Sequence, residues 1–107
     1  MPERISPQQF HESDGVDDWK LFPDGAKTYF ATGSFATGIQ LVDVIGRLAD
    51  AANHHPDVDL RYPGVLVCLF THEINDISDR DVSLAQQISL AARELGIAAD
   101  PSKVLTG

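Results

Sequence analysis

Three of the four histidines in this 107-residue chain flank one short segment, DAANHHPDVDLRYPGVLVCLFTH, residues 50–72. His54 and His55 are adjacent near its start, and His72 closes it. An imidazole changes charge near neutral pH, so it can give or take a proton or bind a metal ion. The spacing therefore raises three possibilities: caps at the end of a helix, a metal centre, or acid–base catalysis.

The elements on either side of the segment decide whether these histidines meet. Apolar residues recur at three- and four-residue spacings from Phe35 to Ala52, which predicts an amphipathic helix that begins after Ser34. Pro56 disfavours helical backbone in the residue before it, so this helix must end before His55. The adjacent histidines are therefore expected at a helix C-terminus.

The chain after the two adjacent histidines is predicted to form a β-hairpin. Residues 57–62 alternate between polar and apolar, which is typical of a strand with one wet face. The sequence YPG then turns the chain, and residues 65–70 form a continuous apolar run that predicts a central strand covered on both faces. Because a hairpin places the start of one strand beside the end of the next, the three histidines should lie close together.

The remaining elements complete an α+β fold. We expect a short helix near SPQQFHES, strands at WKLF and AKTYFAT around the turn PDG, and a last helix that Ser78 caps and Gly96 ends. The predicted order is α-β-β-α-β-β-α, with two hairpins in one four-stranded antiparallel sheet and the helices packed on one face. The chain is expected to be one domain, residues 1–107, with its core from about 5 to 95 and a peripheral tail over 96–107.

Composition argues against several classes of function. Sixteen acidic and eight basic side chains give a formal net charge of -8, which opposes direct binding of nucleic acid. No segment approaches the roughly 20 apolar residues of a membrane helix, and the first ten residues contain no apolar signal segment, so we expect a cytoplasmic protein. The single cysteine, Cys68, lies in an apolar run and is interpreted as a small buried hydrophobic residue.

Three explanations of the histidines remain open at this point. A cap would use the attraction between an imidazolium and the negative end of the helix dipole. Zinc would use three imidazoles and a water, but adjacent histidines usually point in different directions, and the chain has no i, i+4 histidine pair or suitable cysteine spacing. Convergence of three imidazoles favours acid–base work on a small molecule, without a bound metal.

Two acidic residues are candidates to support the histidines. Asp50 lies four residues before His54, where a carboxylate could hold that imidazole; the alternative is a solvated helix face. Asp81 follows Ser78 by three positions, and a structural role in the first turn of the last helix is at least as reasonable as a catalytic one. Tyr62 either lines a pocket or packs.

The same residues resemble the pattern of the pterin-4a-carbinolamine dehydratases, a family also called 4a-hydroxytetrahydrobiopterin dehydratases. That pattern is an acidic residue, a gap of three, His-His-Pro, an aromatic after a short gap, a histidine nine intervening positions later, and an aspartate about eight positions beyond it. The matching residues in this chain are Asp50, His54, His55, Pro56, Tyr62, His72 and Asp81. The resemblance extends from about residue 5 to residue 95.

This resemblance implies a four-stranded antiparallel sheet with helices on one face, assembled into homodimers or homotetramers. It also implies that a pterin carrying a C4a hydroxyl, left there by an aromatic amino acid hydroxylase, loses water to give a quinonoid dihydropterin. No metal or organic cofactor is implied.

The resemblance also implies roles for individual residues. His54 and His72 would be the acid and base, His55 would orient the pterin, and the backbone around Thr71 would read its polar edge. The implied catalytic residues are His54, His55, His72 and Asp81. The implied substrate-binding residues are Asp50, Asn53, His55, Pro56, Tyr62, Thr71 and Glu73.

Four residues depart from the family pattern, and none of them is a histidine. Asp57 and Val58 stand where Glu-Trp is common, Asp76 where Gly is common, and Asn53 where Asp often precedes the two histidines. The alternative function is a dehydratase-like scaffold that acts as a transcriptional cofactor or assembly factor through protein contacts; the intact histidines favour the enzyme. The apolar run at 65–70 also predicts a homo-oligomer.

Overall fold

The computed structural model describes residues 2–104, which fold as a layer of helices on an antiparallel sheet. The elements are α1 (Pro7–Glu12), β1 (Lys20–Phe22), β2 (Gly25–Ala31), α2 (Phe35–Ala52), β3 (Asp57–Arg61), β4 (Gly64–Leu69), α3 (Asp79–Glu94), β5 (Ala98–Ala99) and a 3-10 turn at Pro101–Lys103. The predicted α+β class and the order of the first seven elements are confirmed.

The two predicted hairpins share one sheet with strand order β1-β2-β4-β3. All of its pairings are antiparallel, and β2 and β4 form its centre, with Ala26 opposite Leu69 and Phe30 opposite Val65. A fifth, two-residue strand that the sequence did not predict, β5, pairs with the end of β2. The hairpins are therefore joined along their second strands, and β3 lies at an edge.

The chain after α3 returns to the sheet. Gly96 follows the helix with a φ of 74°, the left-handed conformation expected of glycine at a helix end. Ile97 and Val104 are buried, and β5 lies along β2. Within the predicted peripheral tail, residues 96–104 thus pack against the domain, and residues 105–107 lie outside the described part.

Helix α2 packs on the sheet through a face shifted from the one that its apolar spacing suggested. Its buried residues are Gly38, Leu41, Ile45 and Ala49. Phe35 and Ile39, predicted to be on the buried face, are 48% and 50% exposed. Contact with the sheet runs through Gly38, where an added Cβ would lie 2.6 Å from Leu60 Cδ1. Within residues 2–104, no helix combines the length and the apolar character needed to cross a membrane.

The two faces of β4 differ in their burial. Alternate residues from Val65 to Leu69 are fully buried against the helices, whereas Leu66 and Cys68 on the opposite face are half-buried. Within this chain, β4 is therefore fully covered on one face only, whereas cover on both faces was expected. Burial raises the pKa of the Cys68 thiol to about 11. The thiol is protonated at neutral pH, as suits a packing residue.

The N-terminal segment holds the loop that follows β4. The Arg4 guanidinium donates to the Ile74 carbonyl oxygen at 2.9 Å and pairs with the Asp76 carboxylate at 3.1 Å. Backbone hydrogen bonds on both sides of Arg4 reach residues 77–79. Because this loop carries His72, the N-terminal segment helps to fix the position of that histidine.

Gly64→Ala is expected to destabilise the fold, whereas Gly46→Ala should stabilise it slightly. A Cβ at Gly64 would overlap the Tyr29 ring and lie 2.6 Å from the Phe30 carbonyl oxygen on the neighbouring strand. Overpacking of this kind costs about 1–3 kcal/mol. A Cβ at the exposed helical Gly46 meets nothing within 4 Å, so the free energy of unfolding should rise by about 0.5–1 kcal/mol. Urea unfolding measures both changes, and an unchanged Gly64→Ala protein would contradict the packing.

Arg4→Ala is expected to increase local opening of the loop that carries His72. Exposed ion pairs contribute about 0.2–1 kcal/mol each, so hydrogen exchange of the Asp76 amide should accelerate roughly 1.5- to 5-fold. The matched control is Arg47→Ala, because Arg47 pairs with Asp43 on the surface of α2. Equal acceleration in both variants would show that Arg4 does not restrain the loop.

Candidate functional site

The two adjacent histidines follow the end of α2 directly. Asn53 adopts a left-handed conformation, with φ 50° and ψ 43°, which Asn tolerates better than most residues. The N–H of His54 then donates to the Ala49 carbonyl oxygen at 3.1 Å and closes the helix end. The two imidazoles diverge from this turn: His54 is buried and His55 is exposed.

His54 is held by a buried carboxylate. Its Nε2 lies 2.6 Å from Oδ1 of Asp81, which is fully buried in the first turn of α3. The other oxygen, Oδ2, accepts hydrogen bonds from the Thr71 hydroxyl at 2.7 Å and the Ser78 N–H at 2.9 Å. One carboxylate therefore caps α3 and also holds the imidazole of His54.

Asp50 contacts His55 rather than His54. The His55 Nε2 lies 2.9 Å from Asp50 Oδ1, and both side chains are largely exposed. The expectation that Asp50 would hold His54 was wrong because it assumed helical geometry across the intervening residues, and the left-handed Asn53 ends that geometry. An exposed pair contributes little to stability, so its main effect is to orient His55.

His72 leaves β4 on a short closed loop. The backbone groups of Thr71 and Asp76 bond to each other in both directions, at 3.0 and 3.3 Å. The His72 ring packs edge-on against Phe70, with 5.1 Å between centroids and an interplanar angle of 69°. Phe70 was missed in the sequence, although it stands two positions before His72, where residues of an extended chain share a side.

The three histidines meet at one cavity, as the hairpin geometry predicted. The start of β3 lies beside the end of β4, since Asp57 pairs with Cys68. The cavity has a volume of about 240 Å³, and its lining residues are Asn53, His54, His55, Phe70, His72 and Glu73. Pro56 and Asp50 lie in an adjoining depression that His55 also lines.

Besides Asp50 and Pro56, two further residues predicted to contact a substrate do not line this cavity. Tyr62 is 71% exposed at the β3–β4 turn, the opposite end of the hairpin from the histidines. Thr71 is 1% exposed, and its hydroxyl, N–H and carbonyl are all hydrogen-bonded inside the protein. Thr71 therefore supports Asp81 and the loop and has no free group for a ligand.

A larger cavity of about 490 Å³ lies between α1, β1 and the Asp76–Ile77 segment. It holds a single histidine, His11, and no cluster of imidazoles. We place the functional site at the smaller cavity because three imidazoles converge there. Within residues 2–104, no group of three or more His, Cys, Asp or Glu side chains is arranged to hold a metal ion.

Comparisons with known proteins bear on the identity of this site. The family model for pterin 4 alpha carbinolamine dehydratase matches residues 3–91. An Aquifex aeolicus protein, provisionally named pterin-4-alpha-carbinolamine dehydratase, is 32% identical over 96 residues, which cover 89% of this chain and 97% of that protein. A Nocardia farcinica protein with the same provisional name is 38% identical over 78 residues, covering 73% of this chain and 82% of that protein.

A solved structure supports the fold. A protein from Brucella melitensis, described as a transcriptional coactivator/pterin dehydratase, aligns with a TM-score of 0.77 and 22% sequence identity, covering 84% of this chain and 99% of that chain. The matched residues 3–91 include all three histidines of the cavity and Asp81. The chain therefore belongs to the pterin 4 alpha carbinolamine dehydratase family.

Proposed function

We propose that this protein removes water from 4a-hydroxytetrahydrobiopterin, a pterin-4a-carbinolamine, to give quinonoid dihydropterin. The observation that carries the proposal is the convergence of His54, His55 and His72 on one cavity in a chain of this family. Hydroxide is a poor leaving group, so the C4a hydroxyl must receive a proton while a ring N–H loses one. Imidazoles suit both transfers near neutral pH.

His54 and His72 exchange these protons with the substrate. Asp81 occupies one ring nitrogen of His54, so the other nitrogen must reach the pterin. His72 is exposed and oriented by Phe70. One imidazole takes the ring N–H proton and the other protonates the hydroxyl as the C4a–O bond breaks and a C4a–N double bond forms. The protons balance, and water is the only second product.

The other cavity residues bind and orient the pterin. Asp50 occupies Nε2 of His55, which leaves Nδ1 of that imidazole for the substrate. Asn53 and Glu73 line the same cavity and offer polar groups to the polar edge of a pterin. Pro56 restricts the backbone conformation of His55 and so helps to fix its direction.

The chain is also proposed to act as a homodimer or homotetramer. Leu66 and Cys68 are half-buried on the free sheet face, and Phe35 and Ile39 are half exposed on α2. Apolar surface of this kind is commonly covered by association. Tetrahydrobiopterin recycling in the cytoplasm, after an aromatic amino acid hydroxylase, is the setting that this proposal implies.

A second candidate function is a scaffold that acts through protein contacts, as a transcriptional cofactor or an assembly factor. The half-exposed Phe35 and Ile39 favour it, because apolar residues four apart on one helix can dock against a partner. The Brucella melitensis protein is itself described as a transcriptional coactivator as well as a pterin dehydratase. A scaffold has no chemical need of His54 bonded to a buried Asp81, so the dehydratase is preferred.

His54→Ala and His72→Ala are each expected to lower kcat by roughly 10²- to 10⁴-fold, the usual effect of losing a positioned acid or base. His55→Ala removes an orienting contact, so it should mainly raise KM when binding equilibrates rapidly. The assay is dehydration of synthetic 4a-hydroxytetrahydropterin. His11→Ala is the matched control, because His11 lies outside the cavity and should keep wild-type turnover.

The double variant of His54 and His72 tests whether the two imidazoles act together. Its loss should be smaller than the product of the two single losses, because both serve one transition state. Circular dichroism checks that each variant folds. Near-normal turnover by folded His54→Ala and His72→Ala proteins would reject the catalytic roles and leave the scaffold as the better account.

Chelation is expected to leave dehydration unchanged. The Nε2 atoms of His54 and His55 are each bonded to a different carboxylate, Asp81 and Asp50. The two imidazoles are therefore poorly placed to share one ion. Turnover before and after treatment with EDTA is the measurement, and a loss that zinc restores would establish a metal-dependent site.

A further inference from the structure

A buried line of hydroxyl groups connects the first turn of α3 to His54. The Ser78 Oγ lies 2.6 Å from the Thr71 Oγ1, which lies 2.7 Å from Asp81 Oδ2. The opposite oxygen of that carboxylate lies 2.6 Å from His54 Nε2. Thr71, Ser78 and Asp81 are each at most 1% exposed, so these contacts are made without competition from water.

The available donors fix the direction of this line. The Ser78 Oγ accepts the Arg80 N–H at 3.2 Å, which leaves its own proton free to point to Thr71. The Thr71 hydroxyl has one proton, and it donates that proton to Asp81. The protons therefore run from Ser78 to Thr71 to the carboxylate.

Asp81 is consequently an acceptor at Oδ2, and its position favours the ionised form, which only accepts. Its Oδ2 receives the Thr71 O–H and the Ser78 N–H. Its place in the first turn of α3 favours a negative charge, because the N-terminal end of a helix dipole is positive. A carboxylate that only accepts requires a proton on the His54 nitrogen that faces it.

We propose that Thr71 and Ser78 are positioning residues that hold His54 in the Nε2–H tautomer, so that Nδ1 is the atom that exchanges a proton with the substrate. The catalytic part of this inference rests on the proposed dehydratase function, whereas the tautomer itself does not. Without the Thr71 hydroxyl, Asp81 loses one donor and is free to turn. The imidazole then loses its fixed acceptor, and both tautomers become accessible.

The tautomer is measured by long-range ¹H–¹⁵N correlation spectroscopy on the ¹⁵N-labelled full chain, at a pH where the imidazole is neutral. We expect the wild-type His54 signal to show a proton on Nε2 and a bare Nδ1. Thr71→Val removes the hydroxyl and keeps the branched shape, and Ser78→Ala removes the next hydroxyl. Both variants should show a mixture of tautomers, whereas Thr71→Ser should restore the wild-type signal.

Kinetics test the catalytic consequence. Thr71→Val should lower kcat about 10- to 100-fold, by analogy with the loss of a hydrogen-bond partner that orients a metal-bound histidine. KM should change little, because Thr71 does not line the cavity. The matched control is Ser34→Ala, which removes the N-cap of α2 far along the chain from His54. It should lower stability without moving the tautomer signal or kcat.

Several results would overturn the proposal. One is a wild-type His54 that carries its proton on Nδ1; another is a wild-type tautomer signal that survives in folded Thr71→Val and Ser78→Ala. If Thr71→Val fails to fold, the wild-type signal and Ser78→Ala decide the question. If the tautomer shifts as expected while the wild type does not dehydrate the pterin, the dehydratase function fails and the positioning role stands.

Discussion

A buried carboxylate without a lysine or arginine partner is the constraint around which this site is built. Asp81 is fully buried and, within residues 2–104, forms no ion pair with Lys or Arg. Removing a carboxylate from water is costly unless other donors replace the lost hydrogen bonds. Thr71 and Ser78 supply such donors, and in the proposed tautomer His54 supplies a third. The hydrogen bonds to the Asp81 carboxylate therefore connect the end of α2, the loop after β4 and the start of α3.

The sheet sets the exposure of each histidine around that carboxylate. Because β3 is an edge strand and β4 is its inner neighbour, the cavity lies at a corner of the sheet. His54 turns inward to Asp81, whereas His55 and His72 stay exposed at the rim. The fold thus offers a substrate one imidazole with a fixed buried partner and two that remain accessible to solvent. Such an unequal set suits a reaction in which one group takes a proton and another gives one.

Sequence patterns predicted most of the fold because the signals are local. The caps at Ser34 and Ser78, the stop at Gly96 and the meeting of the histidines follow from periodicity and hairpin geometry. The hydrogen-bond partners of the imidazoles could not be predicted from these local signals. Asp50 contacts His55 because the left-handed Asn53 ends the helical geometry. The buried face of α2 was also misread. Apolar residues occur on two overlapping faces of that helix, and only one face can pack on the sheet. The close approach at Gly38 selects that face and leaves Phe35 half exposed on the other.

The departures from the family pattern fall where they leave the imidazoles in place. The positive φ of the loop after β4 is carried by Asn75, so Asp76 needs no unusual backbone and instead pairs with Arg4. Val58 packs against the hydrophobic core rather than lining the cavity. Asn53 supplies the left-handed turn without adding a carboxylate beside His54. If α2, α3 or the loop after β4 shifted, Asp81 would lose hydrogen-bond partners while remaining buried, which is energetically costly. The hydrogen bonds that orient His54 therefore also oppose any rearrangement that would separate the three histidines.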